Sequence, residues 1–170
     1  MIKSFADKET ELIYNQKFSK RLPNTIQKVA LRKLMMIDNE KCLEDLRVPP
    51  SNHLEQNHIH VRPLMWSLIG KTMSDFIETP TIGEILSEEF LIPLGISAYK
   101  LAQEINVPTS RIQDILHNRR KITVDTSLRL AKFFGLSDGY FMALQDDIDI
   151  RNAKIELAPQ LEEIKTYAYA

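Results

Sequence analysis

Length, composition and charge set the first limits on this chain. Its 170 residues suffice for one large domain or two small ones, and 44% hydrophobic with 26% charged residues is typical of soluble globular proteins. The single cysteine, Cys42, excludes an internal disulfide framework and indicates a reducing compartment. Residues 1–7 lack the apolar core of a signal peptide, and the longest apolar stretch, residues 64–69, is too short to span a bilayer. We therefore expect a cytoplasmic protein without a membrane partner.

The net charge of −1 hides an uneven distribution. Residues 1–72 carry 12 basic and 8 acidic side chains, a balance of +4, whereas residues 73–170 carry 10 and 15, a balance of −5. Within this acidic part, residues 97–134 carry 7 basic and 3 acidic side chains, again a balance of +4. Screening limits electrostatic reach to about 8 Å, so local charge decides what a polyanion meets. The window 97–134 is therefore a candidate polyanion-binding region.

The first segment, residues 1–55, is predicted to be mainly helical. Residues 2–5 have the pattern of a short strand, residues 7–18 that of a helix, and Pro23 opens a second helix. Five apolar residues recur at helical spacing and predict the buried face of that second helix: Ile26, Val29, Ala30, Leu34 and Ile37. Residues 56–78 are poorly patterned and are interpreted as a linker or a damaged piece of a domain.

The third segment, residues 79–170, has the clearest pattern and predicts five helices. The spacing of Thr81 and Glu84 is that of a capping box at the first helix, which residues 93–95 end. Four predicted inward residues of that helix are Ile82, Ile85, Leu86 and Phe90. Ser97 is predicted to cap the second helix. Residues 109–117 form the predicted third helix.

The last two predicted helices complete this segment. Thr123 or Asp125 caps the fourth helix, and Gly135 ends it. Leu128, Ala131 and Phe134 are predicted to face inward from it. Ser137 is predicted to cap a fifth helix with Phe141 and Leu144 inside, and residues 148–161 can extend it.

Residues 97–120 combine two short helices with a fixed turn. Ala102 is small where the second helix must cross the first, and Asn106 stands where the backbone needs a positive φ, which Gly or Asn accepts most easily. Pro108 suits the first turn of the second helix. Three apolar side chains fill the angle between the helices: Val107, Ile112 and Ile115. This is the pattern of a helix-turn-helix, whose second helix enters the major groove of DNA.

The predicted DNA-binding residues follow from this arrangement. Arg111 and Gln113 can read base edges, Arg favouring guanine and Gln adenine, while Thr109 and Ser110 can bond phosphates or bases. Residues 118–121 follow the second helix and can neutralise backbone phosphates. The complete predicted set is Ser97, Lys100, Thr109, Ser110, Arg111, Gln113, Asn118, Arg119, Arg120 and Lys121. Arg129 is predicted to form an internal ion pair instead. The alternative is a small helical bundle without a DNA role, but the basic residues after the second helix favour DNA binding.

Residues 79–155 resemble the HigA antitoxins of the lambda-repressor-like fold. The shared motifs lie at residues 83–86, 89–91, 93–112, 119–126, 128–131 and 144–145. Four positions depart from the family: Thr81-Ile82 replace His-Pro, Asn118 replaces Gly, and Phe141 replaces Trp. The resemblance implies an antitoxin of a type II toxin–antitoxin system that represses its own operon as a homodimer on a palindromic operator. We expect the dimer surface from Ser137 onward.

A second resemblance covers residues 1–55. The motifs at residues 2–5, 31–34, 43–46 and 49–55 resemble the HigB toxins, which are mRNA-cleaving proteins of the RelE superfamily. The strands that follow in that family and carry most of its cleavage site are missing, with residues 65–68 as a vestige. We interpret the segment as a truncated toxin without nuclease activity. Deprived of its sheet, this helical hairpin should be weakly stable. The alternative is a toxin–antitoxin fusion that still cleaves mRNA.

The overall prediction is thus a mainly all-α protein. A helical hairpin left from a RelE-like toxin precedes a five-helix lambda-repressor-like domain at residues 79–170. His53, His58 and His60 could serve metal ligation or acid–base RNA cleavage, because histidine suits both near neutral pH. No cysteine or carboxylate cluster accompanies them, so we predict no catalytic site, no metal site and no cofactor. Operator DNA and a HigB-type toxin are the expected partners.

Overall fold

The computed structural model describes residues 2–40, 45–46, 52 and 77–167, and these are folded mainly as helices. In chain order the helices are α1 (Lys8–Tyr14), α2 (Asn24–Asn39), α3 (Ile82–Ile85), α4 (Ile92–Leu94), α5 (Ala98–Glu104), α6 (Thr109–Leu116), α7 (Val124–Phe134), α8 (Tyr140–Glu156) and α9 (Ala158–Glu163). A π-helical segment, Leu86–Leu91, joins α3 to α4. No helix in these ranges is long and apolar enough to cross a membrane.

The predicted strand at residues 2–5 is wrong, because these residues have no regular structure and no β-strand lies within the described ranges to pair with them. The backbone N–H of Ile2 instead donates to Asp38 in α2 at 2.6 Å. Helix α1 begins after its cap Asp7, which accepts from the Thr10 N–H at 2.9 Å. It ends at Tyr14 rather than at residue 18, because Gln16 turns the chain with φ 60°.

The buried face of α2 differs from the prediction. Ile26, Val29 and Ile37 are at least 40% exposed, whereas the fully covered side chains are Gln27, Leu31, Met35 and Met36. The periodicity locates an apolar stripe, but a helix with apolar residues on more than one side does not reveal which stripe is covered. Gln27 is buried because its amide exchanges hydrogen bonds with the Ser19 backbone at 2.9 Å in both directions.

The local signals of residues 79–170 are mostly confirmed. Thr81 and Glu84 form the capping box, with bonds of 3.1 Å and 2.8 Å between each side chain and the other's backbone N–H. Gly95 and Gly135 end their helices in the left-handed conformation, at φ 63° and 73°. The predicted inward residues of the first helix are all buried, although that helix is interrupted by the π-helical segment, which the sequence does not predict.

Two predictions for the last helices are wrong. Leu128 is 44% exposed, because the inward positions of α7 are taken by Thr126, Ser127, Leu130, Ala131 and Phe134. Ser137 does not cap α8, which begins after Gly139. Both the backbone N–H and the hydroxyl of Ser137 donate to the buried carboxylate of Asp45, at 2.9 Å and 2.7 Å. A long-range partner therefore displaced the local cap.

The N-terminal helices pack on the C-terminal helices and share one hydrophobic core with them. Leu31 and Met35 of α2 join the core around Phe90, whose ring lies 4.8 Å from Phe134 and 5.4 Å from Phe141. Arg151 of α8 donates to the Tyr14 carbonyl at 2.8 Å and stacks over its ring. The expectation of a weakly stable hairpin assumed that no surface would cover it, and α8 with the π-helical segment provides one.

A second tie between the two parts is ionic. Glu89 is 1% exposed and accepts from Arg32 of α2 at 2.6 Å and from the neighbouring Lys33. Arg32 also pairs with Glu88 at 2.6 Å. A buried carboxylate is tolerated only when cations or donors compensate for its lost hydration. The two basic residues of α2 therefore neutralise a charge that the π-helical segment buries.

Glu40, which follows α2, makes the stability depend on pH. Both of its carboxyl oxygens are buried without a hydrogen-bond partner in the described part of the chain, and burial, followed by the nearby Asp45 charge, raises its pKa to about 7. Unfolding lets this carboxyl ionise at its ordinary pKa of 4.5, so its contribution opposes folding increasingly as the pH rises from 4.5 to about 7. We expect Glu40→Gln to gain stability relative to the native chain at pH 8 but little at pH 5. Urea unfolding of both proteins at these pH values checks this, and parallel pH profiles would contradict it.

Candidate nucleic-acid interface

The site is built on α5 and α6, which are joined by a four-residue turn. Ser97 caps α5 by accepting from the Lys100 N–H at 3.1 Å, as predicted. Asn106 has φ 55°, which confirms the predicted left-handed turn residue. The Val107 N–H then closes the turn on the Ala102 carbonyl at 2.9 Å. Pro108 lies just before α6 as its cap rather than inside its first turn.

The inner side of α6 is fixed by close packing. Ala102, Ile112 and Ile115 are completely buried, as the sequence predicts. A Cβ placed on Gly83 of α3 would lie 2.6 Å from the carbonyl oxygens of both Ile115 and Leu116. The backbone of α3 therefore touches the end of α6 directly, and this contact sets the position of the helix.

The other side of α6 faces outward. Ser110 and Gln113 are exposed, and Thr109 and Arg111 are partly exposed. Ser97 and Lys100 at the start of α5 are also exposed. After α6 the chain turns at Asn118, with φ 56°, and Arg119, Arg120 and Lys121 follow on the surface. The predicted DNA-binding residues thus lie outside the core, on α5, on α6 and in the turn that follows.

Several of these cations are paired within the chain. Arg111 donates to Asp125 at 2.8 Å, Arg119 to Asp114 at 3.1 Å, and Lys121 to Asp149 at 2.9 Å. The side chains of Arg119 and Lys121 are 64% and 71% exposed, and ion pairs of exposed groups contribute only about 0–1 kcal/mol because water competes for them. These two cations can therefore exchange their partners for phosphate contacts at small cost.

The carboxylates that face the basic surface were not identified from the sequence as part of the site. Asp125 appears there only as a candidate cap for α7, and Thr123 holds that position by accepting from the Thr126 N–H. The carboxylate of Asp125 instead binds Arg129 at 2.8 Å as well as Arg111, and the Arg129 bond chiefly lowers its pKa. The predicted internal ion pair of Arg129 is confirmed. Its four-residue spacing is visible in the sequence, whereas the Arg111 contact joins different helices.

The structure describes only some of the other residues that the sequence analysis considered as sites. His53, His58, His60, Cys42 and Trp66 lie outside the described residues. Met35 and Met36 are packing residues of the core. Among the described residues, no three His, Cys, Asp or Glu side chains gather where they could hold a metal ion.

Comparison with protein families places this geometry among known domains. The model of the family described as "Helix-turn-helix" matches residues 88–141. Virulence-associated protein I of Dichelobacter nodosus is 43% identical over 79 residues, which are 45% of this chain and 73% of that protein. The region matched by the family model, residues 88–141, includes α5, α6 and α7.

Two solved structures share the fold of part of the chain. PA4674 of Pseudomonas aeruginosa, solved in complex with its operator DNA, is 32% identical with a TM-score of 0.51, over 53% of this chain and 96% of that chain. The Pseudomonas aeruginosa antitoxin HigA, solved with the higBA promoter, is 31% identical with a TM-score of 0.50, over 52% of this chain and 98% of that chain. Each likeness covers about half of the present chain.

Proposed function

Because the chain belongs to the helix-turn-helix family, we propose that it is a sequence-specific DNA-binding antitoxin of a type II toxin–antitoxin system. The two neighbours solved with an operator or a promoter support DNA as the partner. A HigB-type toxin is the proposed protein partner, and the proposed regulatory role is repression of the chain's own operon.

The observation that carries the proposal is the outward-facing start of α6. Ser110 and Gln113 are exposed there, and Arg111 stands beside them with 27% of its side chain exposed. Lys100, Arg119, Arg120 and Lys121 provide exposed positive charge around this end. A helix end with side chains for base edges, surrounded by cations for phosphates, matches what the major groove requires.

The tail supports a second copy of the chain as partner. Along α8, α9 and the residues that follow, six large apolar side chains are 39% to 77% exposed: Ile150, Ile155, Leu157, Leu161, Ile164 and Tyr167. Contiguous exposed apolar surface often marks a protein contact. A palindromic operator requires two α6 helices about 34 Å apart, which a dimer provides. We propose this tail as the dimer contact.

Footprinting on DNA upstream of the chain's own gene tests the function. We expect protection of two half-sites about 10 base pairs apart. A separate measurement of the mass of the protein–DNA complex should correspond to two chains per duplex. A scrambled duplex of equal composition is the control. Equal affinity for both duplexes would overturn sequence-specific binding, and one chain per duplex would overturn the dimer.

Arg111→Ala should reduce sequence discrimination. If Arg111 reads a guanine edge, its loss costs about 1–3 kcal/mol on the protected duplex and much less on the scrambled one. Fluorescence anisotropy with both duplexes measures the difference, and thermal unfolding of the variant controls for folding. Equal losses on the two duplexes would refute base reading by Arg111.

Arg120→Ala should have a different effect. Arg120 is exposed and follows α6, where it can neutralise a backbone phosphate without reading sequence. We expect weaker binding to both duplexes by a similar factor, and a slope of log affinity against log salt that is smaller by about 1. Titrations at several salt concentrations check this. An unchanged slope would place Arg120 away from the phosphates.

The proposal assigns no catalytic activity to this chain. The basic residues of α2 that resemble a toxin motif, Arg32 and Lys33, are paired with Glu88 and Glu89 of the C-terminal part. They are therefore occupied by carboxylates rather than presented to an RNA phosphate. An RNase assay of the full chain with ribosomes tests this point, and cleavage of mRNA would overturn it.

A further inference from the structure

Arg111 is restrained before any DNA arrives. Its Nη1 atom donates to Asp125 Oδ2 at 2.8 Å, across from α6 to the first turn of α7. Only 27% of its side chain is exposed, compared with 64% for Arg119 and 71% for Lys121. Among the paired cations of this surface, Arg111 is thus the one whose side chain the protein covers most.

Asp125 is itself held in place by a second basic residue, Arg129. Its second oxygen, Oδ1, accepts from Arg129 Nε at 2.8 Å, and Arg129 Nη1 donates to the Ile105 carbonyl at 3.0 Å. Ile105 is the C-cap of α5 and the first residue of the turn. A continuous chain of charge-assisted hydrogen bonds therefore runs from the turn, through Arg129 and Asp125, to Arg111.

This arrangement orients the Arg111 side chain more than it stabilises the fold. Asp125 is 53% exposed, so its pairs add little to folding, but a bond at one nitrogen favours one orientation of the planar guanidinium. The carboxylate also places one negative charge beside the end of α6 that faces DNA. It therefore opposes contact between this end and phosphates of arbitrary sequence.

We infer that Asp125 is a specificity-determining positioning residue: it orients Arg111 toward a base edge and weakens binding to DNA of other sequence. The inference rests on the proposed DNA-binding function. It assigns to Asp125 a role opposite to that of the surrounding cations. Loss of this carboxylate raises the affinity for DNA of arbitrary sequence and lowers the discrimination between sequences.

The test compares Asp125→Asn with the native chain on two probes. One is a 20-base-pair duplex that the native protein selects from a random library, and the other is a scrambled duplex of the same composition. We expect affinity for the selected duplex to fall about fivefold to tenfold, within the range of one bidentate base contact. Affinity for the scrambled duplex rises severalfold, with a salt slope larger by about 1 because Arg111 is free to bind a phosphate. A merely structural defect would weaken both.

Asp149→Asn is the matched control. Asp149 also pairs with a cation of this surface, Lys121, at 2.9 Å, and its side chain is 36% exposed. The same change of charge there raises affinity for both duplexes by a similar factor, because Lys121 is predicted to contact phosphate and not a base. Equal effects of the two substitutions would show that Asp125 acts through charge alone and would overturn the inference.

The double variant Arg111→Ala/Asp125→Asn shows whether Asp125 acts through Arg111. We expect the second substitution to cause no further loss of discrimination once Arg111 is absent. An additive loss would overturn the positioning role. If the native chain prefers no duplex, the proposed function fails together with the inference. If the native chain discriminates and Asp125→Asn discriminates equally well, only the inference fails.

Discussion

Gly83→Ala is expected to lower the free energy of unfolding by about 2 kcal/mol, although the same change inside an ordinary helix raises it by about 1 kcal/mol. The reason is the direct contact between the backbones of α3 and α6. The added Cβ would meet the carbonyl oxygens of Ile115 and Leu116 at 2.6 Å, and backbone atoms cannot rotate away as a side chain does. Since α6 must move, affinity for the selected duplex should fall as well. Urea unfolding and anisotropy measure the two effects.

Gly95→Ala provides the matched control for this prediction. A Cβ at Gly95 meets nothing within 4 Å, but the residue has φ 63°, where an alanine costs about 1 kcal/mol. We expect Gly95→Ala to destabilise the fold while leaving the position of α6, and so the DNA affinity of the folded protein, unchanged. A Gly83→Ala protein as stable as the native chain would show that α3 and α6 can separate freely.

Arg32→Met is expected to destabilise the protein by about 3 kcal/mol, because it removes one partner of a buried carboxylate. Glu89 is 1% exposed and would retain Lys33 as its remaining basic partner from α2. Methionine preserves most of the apolar stem of this side chain, which is only 11% exposed. Urea unfolding measures the loss. Adding Glu89→Leu should recover much of the stability, since a buried apolar side chain carries no desolvation cost.

Lys28→Met is the exposed counterpart in the same helix. Lys28 pairs with Glu78 at 2.9 Å, but the two side chains are 63% and 80% exposed. We expect a loss below about 1 kcal/mol, as for most surface ion pairs. Similar losses for Arg32→Met and Lys28→Met would mean that burial adds nothing to the Glu89 pair, which would contradict the interpretation of this contact.

What the sequence predicts well are features that depend on neighbours in the chain. The capping box of Thr81 and Glu84, the cap Ser97, and the left-handed residue Asn106 all follow from local backbone chemistry. The inward positions Ala102, Ile112 and Ile115 follow from helical spacing. The predicted helix-turn-helix rests on these signals, which explains its agreement with the structure.

What the sequence does not predict depends on residues far apart in the chain. Ser137 has the residue type of a helix cap, yet it binds Asp45, 92 positions earlier. The side of α2 that is buried is selected by the C-terminal helices and not by its own spacing. The contact between Arg111 and Asp125 likewise requires the angle between α6 and α7. Such choices are made by tertiary packing, which outweighs local preference.

The pairing of Arg32 and Lys33 with Glu89 has a consequence for competition at this surface. Because donor and acceptor belong to one polypeptide, the association is intramolecular, and dilution of the protein does not weaken it. A separate protein that offers a similar basic helix to Glu88 and Glu89 must displace α2, which belongs to the same chain and stays attached to it. Binding of a second protein to Glu88 and Glu89 would therefore require an affinity well above that of a transient complex.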